Sequence, residues 1–211
     1  MSKIHLELLD EKRQKVFLDL SLFKDEGYLT GGTALALQIN HRKSEDFDVF
    51  INKSINNDFR LKIKKVFGNV IFSLDTGDQI NFTTFNGIKI TFLWYYFPAI
   101  NPLVQTQSIS LASIEDIASD KAITVGRRAI WRDYVDLFYL LKEKIFDLKK
   151  IIDLAKNKFK GEFVETQFLE QLSYFGDLKI MPIEYVGEAH SPKEIKSFLE
   201  KQVSSYVKTR I

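Results

Sequence analysis

The stretch GGTALALQINHRKSEDFDVF, residues 31–50, decides how this chain is read. It opens with Gly31-Gly32-Thr33, directly after the short apolar run Tyr28-Leu29-Thr30, and passes into Ala34–Ile39, a strongly helix-forming segment. Twelve residues separate Thr33 from Asp46-Phe47-Asp48-Val49-Phe50-Ile51, whose alternation of charged and apolar residues predicts a strand. Adjacent glycines between a strand and a helix let the backbone approach a ligand closely. The helix N-terminus then offers N–H groups and a partial positive charge to a phosphate, and Thr33 can add a hydroxyl donor. Asp46 and Asp48 are two apart on a strand, so both side chains leave the same face. Carboxylates that close repel unless a cation lies between them. Mg²⁺ fits, because it takes oxygen ligands and shares them with substrate phosphates. A phosphate cradle beside paired carboxylates implies phosphoryl or nucleotidyl transfer. Each half also has a plain reading, a tight turn and a strand with one solvated face; their order and short spacing favour the joint one.

Working outward, Leu8–Phe23 carries apolar residues at helical spacing, with Val16, Leu20 and Phe23 on one stripe, and Gly27 ends it. Asn57–Phe67 predicts a helix with a basic exposed face of Arg60, Lys62, Lys64 and Lys65. Strand-like runs follow at Val70–Leu74, Gln79–Phe85 and Ile88–Tyr96, with Asn86-Gly87 a strong hairpin signal. After Pro98 and Pro102 the period changes. Ser113–Val125, Arg132–Leu141, Leu148–Phe159, Phe163–Phe175 and Pro192–Tyr206 all predict helices, the first with Ser113 as N-cap and Asp116 in a capping-box position. The expected fold class is α+β. A mixed β-sheet flanked by helices fills a domain over 1–102, and an all-helical domain covers 103–211.

Composition narrows the function. There is no cysteine, which excludes thiolate metal sites, disulfides and thiol nucleophiles and fits a reducing compartment. Lys and Arg total 30 against 28 Asp and Glu, balanced on both sides of Pro102, so any nucleic-acid contact must come from a local patch. The most apolar run, Ile88–Ile100, is broken by Lys89, Thr91 and Pro98 and falls short of the ~20 residues that span a bilayer. A cytoplasmic protein without membrane contact is expected.

Residues 31–50 resemble the signature of the DNA polymerase β-like nucleotidyltransferase superfamily: Gly-Gly-Ser/Thr opening a helix, then Asp-x-Asp on the next strand. More narrowly they resemble the AbiEii/AbiGii-type nucleotidyltransferase toxins, whose Arg-x-Ser-x-Asp-hydrophobic-Asp stretch is matched by Arg42, Ser44, Asp46 and Asp48. A second segment supports the narrower likeness. Ser113-Ile114-Glu115-Asp116-Ile117 leads to Lys121, then Arg128, then Arg132-Asp133-Tyr134-Val135-Asp136-Leu137, similar to the family's Ser-x-x-Asp-Ile, Lys, Arg and Arg/Lys-Asp-x-x-Asp-Leu.

The resemblance implies an Mg²⁺-dependent transferase. Gly31, Gly32, Thr33, Arg42, Ser44, Lys121 and Arg128 would bind nucleotide, Asp46 and Asp48 would ligate metal, and Asp46, Asp48 and Lys121 would carry catalysis, with Asp133 a further candidate. It also implies an NTP donor, a tRNA 3′ end or other RNA as acceptor, and a cognate antitoxin in a type IV toxin–antitoxin or abortive-infection pair. Local readings compete at some positions. Arg132 and Asp136 stand at i,i+4 and can pair on a helix surface, Asp133 can cap its helix, and Gly126 can separate Lys121 from Arg128.

One departure matters. The superfamily places a third carboxylate on a later strand, and the matching stretch here, Lys89-Ile90-Thr91-Phe92-Leu93, has Thr91. Thr is neither an anionic ligand nor an effective general base at neutral pH. Three explanations stand: two carboxylates suffice, another acid (Asp75, Asp78 or Asp133) enters, or the chain binds nucleotide without transferring it. A small-molecule acceptor is a further alternative. The remaining signals read structurally. His5, His41 and His190 lack ligand spacing, with His41 expected in a solvated loop; Trp94-Tyr95-Tyr96-Phe97 reads as buried strand before base-stacking platform; Lys62-Lys64-Lys65 and Lys156-Lys158-Lys160 read as solvated helix faces.

Overall fold

The computed structural model describes residues 3–210; Met1, Ser2 and Ile211, the outer ends of the two expected domains, lie outside the described residues. The chain divides into two compact units, the first ending at Ser113 and the second beginning at Ile114.

In the first unit, helix α1 (Glu11–Asp19) is capped by Asp10, whose carboxylate accepts from the Arg13 N–H, and tightens into a 3₁₀ turn over Leu20–Phe23. Strand β1 (Gly27–Thr30) runs directly into α2 (Gly31–Ile39), which ends on Asn40 in the left-handed region. Strand β2 (Phe47–Ile51), helix α3 (Asn57–Phe67) and strands β3 (Phe72–Asp75), β4 (Gln79–Thr83) and β5 (Lys89–Trp94) complete it. The sheet order is β1-β2-β5-β4-β3. The β2–β5 junction is parallel and the other pairings are antiparallel. Gly87, at φ +80, turns the β4–β5 hairpin.

The period of 2 sorts the strands into two faces. One buries Phe47, Val49, Ile51, Ile80, Phe82, Ile90 and Phe92. Against it lie Phe59, Ile63 and Phe67, spaced i, i+4, i+8 along α3; Phe59 meets Phe92 at 5.1 Å and Phe67 meets Phe82 at 5.4 Å. The opposite face carries Thr30, Asp48, Thr91 and Asn81, register partners in one row across β1, β2, β5 and β4.

Residues 103–113 belong to this first unit. Leu111 bridges both Leu29 and Val104, and Leu29 donates its N–H to Ser110 and accepts from Ala112. The Trp94–Phe97 run, read from sequence as buried strand, leaves the sheet at Trp94, and Tyr96 is 81% exposed. Prolines and the period change ended the strand reading too late there, because an aromatic stretch looks alike in a strand and in the loop after it.

The second unit is helical: α4 (Ile114–Arg127), α5 (Trp131–Lys142), α6 (Leu148–Phe159), α7 (Glu165–Ser173) and α8 (Pro192–Lys208). Asp147 caps α6, and a Ser191/Glu194 capping box opens α8. Helix α4 packs on α5, α6 and α7, and its Gly126 lies flat against Phe168 instead of ending the helix. Among the described residues, no helix is long and apolar enough to cross a membrane.

Candidate active site

The β1–α2 turn and the start of β2 come together as the spacing predicts. Gly31 adopts φ +69, a conformation that costs other residues strain. A Cβ built there would stand 2.9 Å from Asp48 Oδ2, so the glycine's bare backbone faces the carboxylate. A Cβ on Gly32 would reach 2.5 Å from an Arg42 terminal nitrogen and 3.4 Å from Ser44 Oγ. Gly31, Gly32, Arg42, Ser44 and Asp48 are thus neighbours.

Thr33 does a different job from the one its position suggests. Its hydroxyl, 2% exposed, bonds Ser44 Oγ at 2.8 Å and the Asp46 carbonyl oxygen. A single hydroxyl proton so engaged is not offered to a phosphate; Thr33 ties the first turn of α2 to the segment that places Asp46. Arg42 is also buried, 2% exposed, with its guanidinium bonded to the Lys43 carbonyl at 3.0 Å. It meets the turn from beneath Gly32. His41, expected in a solvated loop, is buried beside it.

Thr30 is the residue that the sequence reading passed over. It is the N-cap of α2, but its side chain makes no cap hydrogen bond. Its hydroxyl oxygen is buried and finds no hydrogen-bond partner among the described residues. It is the register partner of Asp48. An N-cap hydroxyl that does not cap leaves the first N–H groups of the helix for something else.

Thr91 is the direct neighbour of Asp48 on β5, which places it where the third carboxylate was sought. Two of the substitute acids are engaged elsewhere. Asp75 pairs in register with Ile80, on the opposite face, and holds Arg60 at 2.7 Å. Asp133 lies in the second unit, bonded to Lys121 at 2.5 Å. Asp78 sits in the turn before β4, its carbonyl bonded to the Trp94 N–H. Among the described residues, no group of three or more His, Asp or Glu side chains is arranged to hold a metal ion. The donors at the β1–α2 turn are the Asp48 carboxylate, a buried hydroxyl oxygen and an uncapped helix N-terminus, with the Asp46 backbone tied to Thr33 beside them. They fit a hard cation that completes its shell with phosphate oxygens and water.

In the second unit, Lys121 is 8% exposed and its ammonium lies 2.5 Å from Asp133 Oδ1 and 2.7 Å from Asp136 Oδ2. Asp136 is therefore a buried partner of Lys121, not a surface partner of Arg132 alone. Arg128 follows the last residue of α4, keeps a helical hydrogen bond from its N–H to the Thr124 carbonyl, and is exposed where Lys121 is buried. Lys158, read as part of a solvated run, is buried 3.0 Å from Asp116 and 2.8 Å from Asp120. Burial pushes the Asp120 carboxyl up to about 6 against the pull of Lys158.

The nucleotidyl transferase AbiEii toxin family, of type IV toxin–antitoxin systems, matches this chain over residues 15–100 and 95–206. The chain belongs to that family. This AbiEii-family protein is 30% identical over 219 residues to the uncharacterised protein aq_aa25 of Aquifex aeolicus, covering 95% of this chain and 98% of that one. Its fold is that of solved nucleotidyltransferases. It superimposes on MenT4, a nucleotidyltransferase toxin of Mycobacterium tuberculosis, with TM-score 0.60 and 14% identity over 90% of this chain and 80% of that one. It superimposes on JHP933 of Helicobacter pylori with TM-score 0.58 and 21% identity, over 95% and 94% of the two chains.

Proposed function

We propose that this AbiEii-family toxin transfers a nucleotide from an NTP to an acceptor hydroxyl such as a tRNA 3′ end, with Mg²⁺, and that a cognate antitoxin restrains it. The observation that carries the reading is the open backbone of Gly31 against Asp48, beside the uncapped start of α2 and the unpartnered Thr30 hydroxyl. Asp46 and Asp48 would hold Mg²⁺, which neutralises phosphate charge and polarises the phosphorus. Gly31 and Gly32 let the triphosphate approach the α2 N–H groups. Thr33, Ser44 and Arg42 hold the turn and Asp46 in place; in the helical unit, Lys121 and Arg128 are the proposed nucleotide-binding cations, with Asp133 positioning Lys121. The acceptor oxygen bonds to the α-phosphorus, the bond to the bridging oxygen breaks, pyrophosphate leaves, and the hydroxyl proton passes to water. Fixed charges around the transferring phosphorus stabilise the transition state without reorganisation.

The test is incubation with each α-³²P-labelled NTP, Mg²⁺ and total bacterial RNA, with Asp46→Ala/Asp48→Ala as control. Label on RNA with the wild type alone is the expected result. One observation favours a second reading, a silent nucleotide binder: the uncharged Thr91 beside Asp48. It predicts magnesium-dependent NTP binding by calorimetry with no label on any acceptor.

A further inference from the structure

The row that holds Asp48 continues outward on the same face of the sheet. Thr91 is its partner on β5, and Asn81 is the partner of Thr91 on β4. Neighbouring strands lie about 4.8 Å apart, so Thr91 stands one strand from the carboxylate and Asn81 two. The register adds Gln79 opposite Leu93 and Thr83 opposite Lys89 to this face. Its chemistry is narrow. Across β4 and β5 it carries hydroxyls, amides and one apolar side chain; Lys89, exposed, is its charge, and no carboxylate of these two strands joins it. Asn81 is oriented, since its Oδ1 accepts from Gln79 Nε2 at 2.8 Å, which leaves its amide hydrogens for another partner.

Thr and Asn each donate and accept, which matches hydroxyl groups. A polycationic acceptor would call for carboxylates along this lane, and Lys89 would repel it. A ribose at the end of a phosphate chain suits the lane: hydroxyls against Thr91 and Asn81, a phosphate against Lys89.

We infer that Thr91, Asn81 and Lys89 form the seat for the acceptor's terminal ribose and its adjoining phosphate. The inference rests on the transfer reading above. Thr91 is then a positioning residue: it orients the attacking hydroxyl beside Asp48 and does not take its proton.

The test is fluorescence anisotropy with a 5′-fluorescein-labelled 12-nucleotide single-stranded RNA ending in either ribose or 2′,3′-dideoxyribose. Mg²⁺ and an NTP whose α–β bridging oxygen is a methylene are present. The wild type is expected to bind the ribose end about tenfold tighter than the dideoxy end. Thr91→Val, which preserves shape on the strand, should bind the two ends alike. Lys89→Glu should weaken both ends equally and flatten the salt dependence, and kanamycin should not displace the RNA. Equal binding of both ends by the wild type, retained discrimination in both Thr91→Val and Asn81→Ala, or no RNA binding at all overturns the seat. Label transfer on the same preparations separates the two readings. Transfer to an acceptor other than RNA, with no end discrimination, removes the seat and leaves nucleotidyl transfer standing. End discrimination that is lost in Thr91→Val, with no transfer to any acceptor, shows that the lane holds an RNA end and removes both the transfer and the acceptor role assigned to that end.

Discussion

Gly31 does two things at once: it turns the chain at φ +69, and it gives Asp48 Oδ2 the room that a Cβ would take. Gly31→Ala therefore costs about 1–2 kcal/mol in backbone strain and also displaces the carboxylate. Gly87 separates the effects, since it has a similar φ of +80 and open space where the Cβ would go. Thermal unfolding should show both alanine variants destabilised by similar amounts. The label-transfer assay should show at least tenfold loss for Gly31→Ala and near wild-type activity for Gly87→Ala. At this scale the turn at Gly31 and its closeness to Asp48 were legible, because backbone permissiveness and short spacing are local properties. The settings of Thr30, Thr33 and Arg42 were not. A hydroxyl or guanidinium reads the same whether it faces ligand or a carbonyl thirteen residues on, and only the folded turn decides.

Among the elements, α4 stands between two buried charge clusters. Lys121 meets Asp133 and Asp136, and Lys158 meets Asp116 and Asp120. Each sets one ammonium against two carboxylates. The Asp120 carboxyl, raised from 3.8 to about 6 by burial, faces Lys158, Asp116 and Lys121. Between about pH 4 and 6 the folded chain then holds a proton that the unfolded chain has lost, so this group's contribution to stability falls as pH rises through that window. Asp120→Asn should remove that slope and raise stability at pH 7 by on the order of 1–2 kcal/mol, read from denaturant unfolding at pH 4.5 and 7. Lys158 was recoverable from the sequence. The period of 3.6 places it on the stripe Ile151, Ala155, Phe159, and the alternating lysines around it masked that stripe. The helix spans themselves came through closely, Asn57–Phe67 and Leu148–Phe159 to the residue, because each has a strong apolar face and a cap or breaker at its ends.

For the whole molecule, the change of period after Pro102 suggested a division there, whereas the first compact unit runs on to Ser113. The intervening segment carries no run long enough to read as a strand; it joins β1 through isolated bridges at Leu111. Ile109 and Leu111 are fully buried. A fragment ending at Ser113 should unfold cooperatively, and one ending at Pro102 should be less stable by about 3–6 kcal/mol, compared by urea denaturation. The sheet's one parallel junction has a consequence for how this protein comes into being. Asp48 and Thr91 become neighbours only after α3, β3 and β4 have been made between them. Such pairing of distant segments carries the loop-closure entropy that slows folding. During synthesis the β1–α2 turn and Asp48 emerge first, but the proposed acceptor seat waits for β5. A chain released or cleaved before residue 94 carries Asp48 without the complete strand beside it, so such a truncated product is expected to lack the proposed acceptor seat.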